Sequence, residues 1–121
     1  CIIHNRFIAQ EKVSLYYNAA DLVVLPYKKI YQSGVMLMAM SYDVPVLASD
    51  LPPIKEMIDD EVNGFLFASE DTDALSNKLN DILLKPKLLE SVKINANKLI
   101  QQKFCWNTIG TQTKSAYESI Q

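Results

Sequence analysis

The chain has 121 residues, a formal charge of -2 and 49% hydrophobic residues, which suits one compact core and is too little for two. With 21% charged residues, 3 glycines and 5 prolines, the composition excludes low-complexity disorder and collagen-like repeats. The 14 acidic side chains outnumber the 12 basic ones, so nothing in the charge points to nucleic acid or an anionic membrane surface as the main partner. No apolar run approaches the roughly 18 to 20 residues that span a bilayer, and the first residues lack the charged and then apolar pattern of a secretory leader. Cys1 and Cys105 stand far apart without CxxC or Cys/His spacing, which predicts free thiols in a reducing compartment rather than a disulfide or a zinc site.

Cys1-Ile2-Ile3-His4 reads as a strand; with no initiator Met before it, it is expected to mark a cut inside a longer chain. Residues 10–20 read as a helix whose apolar surface is Val13, Leu15, Tyr16 and Tyr17. Residues 21–25, closed by Pro26, form a continuous apolar run, the pattern of a strand buried on both faces of a parallel sheet. After a loop over 27–32, Ser33 is placed to cap a helix through Tyr42 that is apolar almost all round and is expected to be buried, with Met36, Met38 and Met40 as core. Asp43 breaks to a strand over 45–48, and Leu51-Pro52-Pro53 opens a short helix to about Ile58. Asn63-Gly64 turns into a strand over 65–67. An amphipathic helix follows over 71–84, with Leu75, Leu79, Ile82 and Leu83 on one face, and Pro86 ends it. Two more helices are expected over 87–104 and 106–120, the last anchored by Trp106.

Strands alternating with helices define an α/β fold, a Rossmann-like parallel sheet with helices on both faces and right-handed crossovers. A single partial domain over 1–121 is expected, with a Rossmann-like core over about 1–84 and C-terminal helices over about 87–120. Four strands fall short of the about five or six of a doubly wound sheet, so the missing ones are expected before residue 1. That would leave the first strand at an exposed edge, open to self-association.

In open α/β sheets, ligands bind at the carboxyl ends of the strands, where a helix N-terminus offers unpaired N–H groups and a positive dipole end to an anion. The passage from the strand over 21–25 into Ser33-Gly34 supplies such a place. Gly34 lets a phosphate approach the backbone, the Ser33 hydroxyl caps the helix or bonds a phosphate oxygen, and Lys28 and Lys29 are the nearby counter-charges. A lone Ser-Gly before a helix equally suits a plain cap with tight packing. His4, the only histidine, ends a strand near this place, and Glu56 follows the strand over 45–48, so both are candidate ligand contacts beside their plainer roles as a structural histidine and a solvated glutamate. The lysines at 85, 87, 93, 98 and 103 are spread among acidic and polar residues and read as solvated surface. One histidine and no nucleophile elbow leave no Ser/His/Asp triad to assemble.

Ala20-Asp21-Leu22-Val23-Val24-Leu25-Pro26, Ser33-Gly34-Val35-Met36-Leu37-Met38-Ala39-Met40, Pro45-Val46-Leu47-Ala48-Ser49 and Asn63-Gly64-Phe65-Leu66-Phe67, taken in order, resemble the donor-binding half of group 1 (family 4) glycosyltransferases of the GT-B fold. Phe104-Cys105-Trp106 is similar to the Phe-x-Trp that introduces the last helix of that family. The resemblance implies the C-terminal, nucleotide-sugar-binding domain of an enzyme that passes a sugar from a nucleoside diphosphate sugar to an acceptor hydroxyl, usually with retention. Ser33, Gly34 and Val35 then match the donor diphosphate site, and Arg6, Phe7 and Ile8 the segment that holds the nucleobase. Tyr27, Lys28 and Met38 join His4 and Glu56 as candidate ligand contacts, and no catalytic residue is assigned. No metal or other cofactor is implied. Asp71-Thr72-Asp73 spells the Asp-x-Asp of the other major glycosyltransferase fold, but at a helix start it reads as a cap. A glycan or lipid-linked acceptor would bind a separate N-terminal domain. The setting implied is cytoplasmic polysaccharide assembly, with peripheral association at the inner face of the membrane.

The chain departs from the family pattern at Ile30 and Met38, which stand where many members carry a Glu-x7-Glu pair that touches sugar and ribose. The alternative reading is therefore a non-catalytic, degenerate Rossmann-like interaction module. A flavodoxin-like protein is disfavoured, because no acidic cluster or Gly-rich phosphate loop follows the first strand.

Overall fold

Three short parallel strands, β1 (Val23–Leu25), β2 (Val46–Ser49) and β3 (Phe65–Phe67), lie side by side in that order in the computed structural model, which describes residues 1–120. Val23, Val24 and Leu25 pair with Val46, Leu47 and Ala48, and Leu47, Ala48 and Ser49 pair in turn with Phe65, Leu66 and Phe67. Parallel neighbours need crossovers. These are supplied by α2 (Gly34–Ser41) between β1 and β2, and by α3 (Pro52–Lys55) between β2 and β3. Helix α1 (Gln10–Ala19) precedes the sheet; α4 (Thr72–Leu84), α5 (Pro86–Leu99), a π-helical turn (Ile100–Phe104) and α6 (Trp106–Glu118) follow it.

Because successive side chains of a strand point to opposite faces, the sheet has two apolar layers. Val46 and Ala48 of β2 join Leu25, Met36, Ala39, Met40, Ile54 and Ile58 on one face, while Leu47 joins Phe65, Phe67, Ile82 and Val92 on the other. Helix α5 serves both layers, through Ala96 on the first and Val92 on the second. Helices therefore cover both faces, as the alternation of elements predicts. No helix among the described residues is long and apolar enough to cross a membrane.

Several expectations are corrected. Residues 1–4 form no strand: Ile2 and Ile3 are 85% and 83% exposed, and among the described residues no strand pairs with them. A strand is a pairing rather than a local conformation, so apolar residues alone do not make one. Among the described residues the sheet ends at β1 on one side and at β3 on the other. Helix α2 is buried on one side only: Met36 and Met40, four residues apart, are core, whereas Met38 on the opposite side is 44% exposed. Leu83, about 80° around the helix from Leu75 at 100° per residue, is exposed, and Leu75, Leu79 and Ile82 carry the α4 interface. On α1, Val13 and Tyr17 are half-buried while Leu15 and Tyr16 face out. The helix expected over 87–104 begins at Pro86 and passes into the π turn after Leu99.

Trp106 does not anchor the last helix. The extended backbone of Cys105 interrupts the helical run; Phe104 before it packs on the first layer and Trp106 after it is exposed. Cys105 itself caps α6, its sulfur accepting from the Thr108 N–H at 3.5 Å, and the Thr108 hydroxyl and N–H hold the thiol below its usual pKa. Both cysteines are free.

The end of α2 is unusual for its residue type. Asp43 sits at φ 60, with its N–H on the Met40 carbonyl at 3.2 Å and the Val44 N–H on the Ala39 carbonyl at 3.0 Å, a Schellman pair normally closed by glycine. A short polar side chain tolerates this region better than other L-residues, and the Asp43 carboxylate also accepts from the Asn97 amide of α5. Asp43→Ala is expected to lower the unfolding free energy by about 1 kcal/mol, and Asp43→Gly to change it by less than about 0.5 kcal/mol, because relieved strain offsets the lost Asn97 contact. Urea denaturation of the two variants checks the difference.

Candidate functional site

Each strand leaves the sheet at the same edge. The chain turns at once after β1, where the Tyr27 N–H meets the Leu25 carbonyl at 2.9 Å, and after β2, where the Leu51 N–H meets the Ser49 carbonyl at 2.8 Å. Side chains then tie the three exits together. The Ser69 hydroxyl donates to the Tyr27 carbonyl at 3.2 Å, and the Ser69 N–H donates to Asp50 Oδ1 at 2.9 Å. The Tyr27 phenol and the Ser33 hydroxyl share a hydrogen bond of 3.2 Å, which fixes the start of α2 above the rim.

Ser33 is 3% exposed and its Oγ accepts the Met36 N–H at 3.1 Å, so this hydroxyl is committed to the cap and to Tyr27. Gly34 and Val35 occupy the first two helical positions, whose N–H groups have no carbonyl within the helix to meet. Both residues are exposed, and a Cβ built on Gly34 would meet no atom within 4 Å. An anion can therefore approach these two N–H groups along the helix axis, where the dipole favours it.

Beside the helix start lies a cleft of about 210 Å³, bounded by Ser33 and Met36 of α2, by Pro53, Glu56 and Met57 at α3, and by Phe104 of the π turn. Ile54 and Ile58, four residues apart and 1% and 2% exposed, pin this short helix to the core, so Glu56 between them is turned outward. A second cleft, of about 270 Å³, opens across Pro26 and is bounded by Lys28, Ser49, Phe67, Glu70, Asp71 and Leu75.

The sequence-derived candidates separate accordingly. Ser33, Gly34 and Val35 form the helix start, Tyr27 supports it, and Glu56 shares the Ser33 cleft. Lys28 bounds the second cleft instead, and Lys29 is exposed. Met38 projects from α2, while Ile30 packs half-buried on the first layer. His4 is exposed and sets its ring edge-on to Tyr16 of α1, 5.8 Å between centroids. Arg6 and Phe7 are exposed in the irregular opening segment, with Ile8 half-buried. Asp71 Oδ1 caps α4 through the Ala74 N–H at 2.8 Å, and no group of three or more His, Cys, Asp or Glu among the described residues converges as metal ligands. Asp50 and Ser69 went unnoticed in the sequence, because nothing local marks the bond that joins them.

A parallel sheet with an open helix N-terminus at its carboxyl edge defines a Rossmann-like ligand-binding unit. The sequence model of the glycosyl transferases group 1 family matches residues 2–99, and the chain belongs to that family. It is 28% identical over 114 residues to an uncharacterized glycosyltransferase of Methanocaldococcus jannaschii, covering 93% of this chain and 29% of that one. Among solved structures, Anabaena HepE in complex with UDP-glucose is similar at TM-score 0.78 and 26% identity, over 86% of this chain and 29% of HepE. The C-terminal domain of a glycosyl transferase group 1 family protein from Francisella tularensis is similar at TM-score 0.75 and 26% identity, over 84% and 52%. The chain thus spans under a third of the length of the Methanocaldococcus relative and of HepE.

Ser33→Ala is expected to leave the Met36 N–H and the Tyr27 phenol without their partner and to cost about 1–2 kcal/mol of stability, with Ser33→Thr recovering most of it. Urea denaturation of both variants measures the loss and the recovery.

Proposed function

We propose that this chain is the donor-binding part of a retaining glycosyltransferase, which transfers a sugar from a nucleoside diphosphate sugar to an acceptor hydroxyl in polysaccharide or glycoconjugate assembly. The observation that carries the reading is the open start of α2 at the carboxyl edge of the sheet, where Gly34 and Val35 are the first two helical residues and a Cβ on Gly34 would meet open space. The similarity to HepE, solved with UDP-glucose, supports a nucleotide sugar as the ligand.

In this reading the diphosphate lies on the two N–H groups. Negative charge grows on it as the bond to the sugar breaks, and the fixed helix end stabilises that charge without reorganising. Ser33 acts from behind, holding the helix start in place through Met36 and Tyr27. The nucleobase is assigned to Arg6, Phe7 and Ile8, and the site includes no metal. The acceptor, a glycan or a lipid-linked chain, is assigned to a separate N-terminal domain, and the whole enzyme to the cytoplasm, peripheral to the membrane.

A second reading, a non-catalytic interaction module, draws on Met38 and Ile30 at the positions of the usual carboxylates. Nucleotide binding separates the two. Calorimetry of the chain against UDP, GDP, ADP and dTDP is expected to find one that binds, and Gly34→Val to weaken it about tenfold or more while shifting the Tm by less than about 2 °C. Binding unchanged by Gly34→Val would remove the diphosphate from α2, and no binding by any of the four would favour the interaction module.

A further inference from the structure

We infer that Glu56 is a specificity-determining residue for the donor, accepting hydrogen bonds from hydroxyls of the transferred sugar and favouring the intact nucleotide sugar over the bare nucleoside diphosphate. The inference rests on the donor-binding reading above. Glu56 is exposed at the end of α3, turned outward between two buried isoleucines, on the cleft wall that faces Ser33. Among the described residues its carboxylate makes no ion pair and no hydrogen bond, although the similarly placed Asp50 holds both. It is the one carboxylate on that cleft, and no lysine or arginine shares the lining.

Strand order decides which part of the ligand it meets. The opening segment assigned to the nucleobase leads through α1 into β1, α2 stands between β1 and β2, and α3 follows β2. A ligand whose diphosphate sits on α2 and whose base lies on the β1 side of the sheet extends its other end past β2, toward α3. That end is the sugar. Carboxylate oxygens accept from neighbouring sugar hydroxyls by charge-assisted bonds, while Met57, Pro53 and Phe104 offer apolar surface to the C–H groups of the ring.

Charge sharpens the preference. On a bare nucleoside diphosphate the β-phosphate oxygen that would bear the sugar is itself ionised, adding a negative charge where the nucleotide sugar has a neutral ester, since the second phosphate pKa lies at about 6. Glu56 repels that extra charge and accepts from the sugar, so it pushes the two ligands apart in affinity.

The test is calorimetry of the chain with matched pairs, UDP against UDP-glucose and GDP against GDP-mannose, for wild type, Glu56→Gln and a control, Glu90→Gln, which removes the same charge from α5. In Glu56→Gln, nucleotide-sugar affinity is expected to fall about tenfold while nucleoside diphosphate affinity is unchanged or rises, with the control like wild type. Equal losses for both members of a pair, or no change in either, would overturn the role. A wild-type chain that binds a diphosphate but neither sugar nucleotide more tightly would overturn it while leaving the donor site standing. A wild-type chain that binds nothing would remove the donor site, and this role with it.

Discussion

The structure depends on β2. Every residue from Val46 to Ser49 is buried, Leu47 and Ala48 pair with a neighbouring strand on both sides, and alternate side chains feed two separate apolar layers. A strand buried on both faces has no place for charge, and a strand between two parallel neighbours needs a crossover on each side. Those conditions set the direction of α2 and α3. Both crossovers leave from the carboxyl edge of the sheet, so α2 and the short α3 both start at the same rim. The cleft between Ser33 and Glu56 is a product of that direction.

Rigidity at the rim is supplied across long sequence distances. Ser69 bonds the Tyr27 carbonyl 42 residues away and its N–H meets Asp50 19 residues away, so the exits of β1, β2 and β3 form one connected structure. Tyr27 passes this order on to Ser33, and Ser33 to the first turn of α2. An anion site made of backbone N–H groups has no side chain to readjust, so its geometry is only as good as the support behind it. A buried serine held on two sides provides that support.

What could be read in the sequence follows from which forces are local. The strands over 23–25, 46–49 and 65–67 announce themselves as short apolar runs between Pro, Asp and Gly, and Ser33 and Asp71 as caps, because their causes lie within a few residues. Pairing is not local. Ile2 and Ile3 are as apolar and β-branched as Val23 and Val24, yet only the latter find a neighbour. Facing was legible where the helical period was clear, as at Leu75, Leu79 and Ile82, and illegible on α2, whose apolar residues surround the whole helix. In the site, the helix start could be seen in Ser33-Gly34. The roles of Asp50 and Ser69 could not, since they arise from a contact between two loops, and the turn of Lys28 toward the second cleft depends on how β1 ends.

The charge pattern of the rim bears on how such a site can discriminate. The Ser33 cleft has partial positive charge at the helix end, one carboxylate opposite, and apolar walls between them. A site that relied on net positive charge would hold any polyphosphate. Here Lys28 bounds the other cleft and no lysine or arginine lines this one, so attraction rests on two oriented N–H groups, which act strongly only on an oxygen lying along the helix axis. Across the cleft the proposed role of Glu56 is to accept hydrogen bonds from hydroxyls and to resist a further anion. In the proposed reading, a weak, directional attraction combined with a carboxylate at the far end selects by the shape and hydroxyl pattern of the ligand, which would let a site with Ile30 and Met38 in place of the usual carboxylates distinguish a nucleotide sugar from its product.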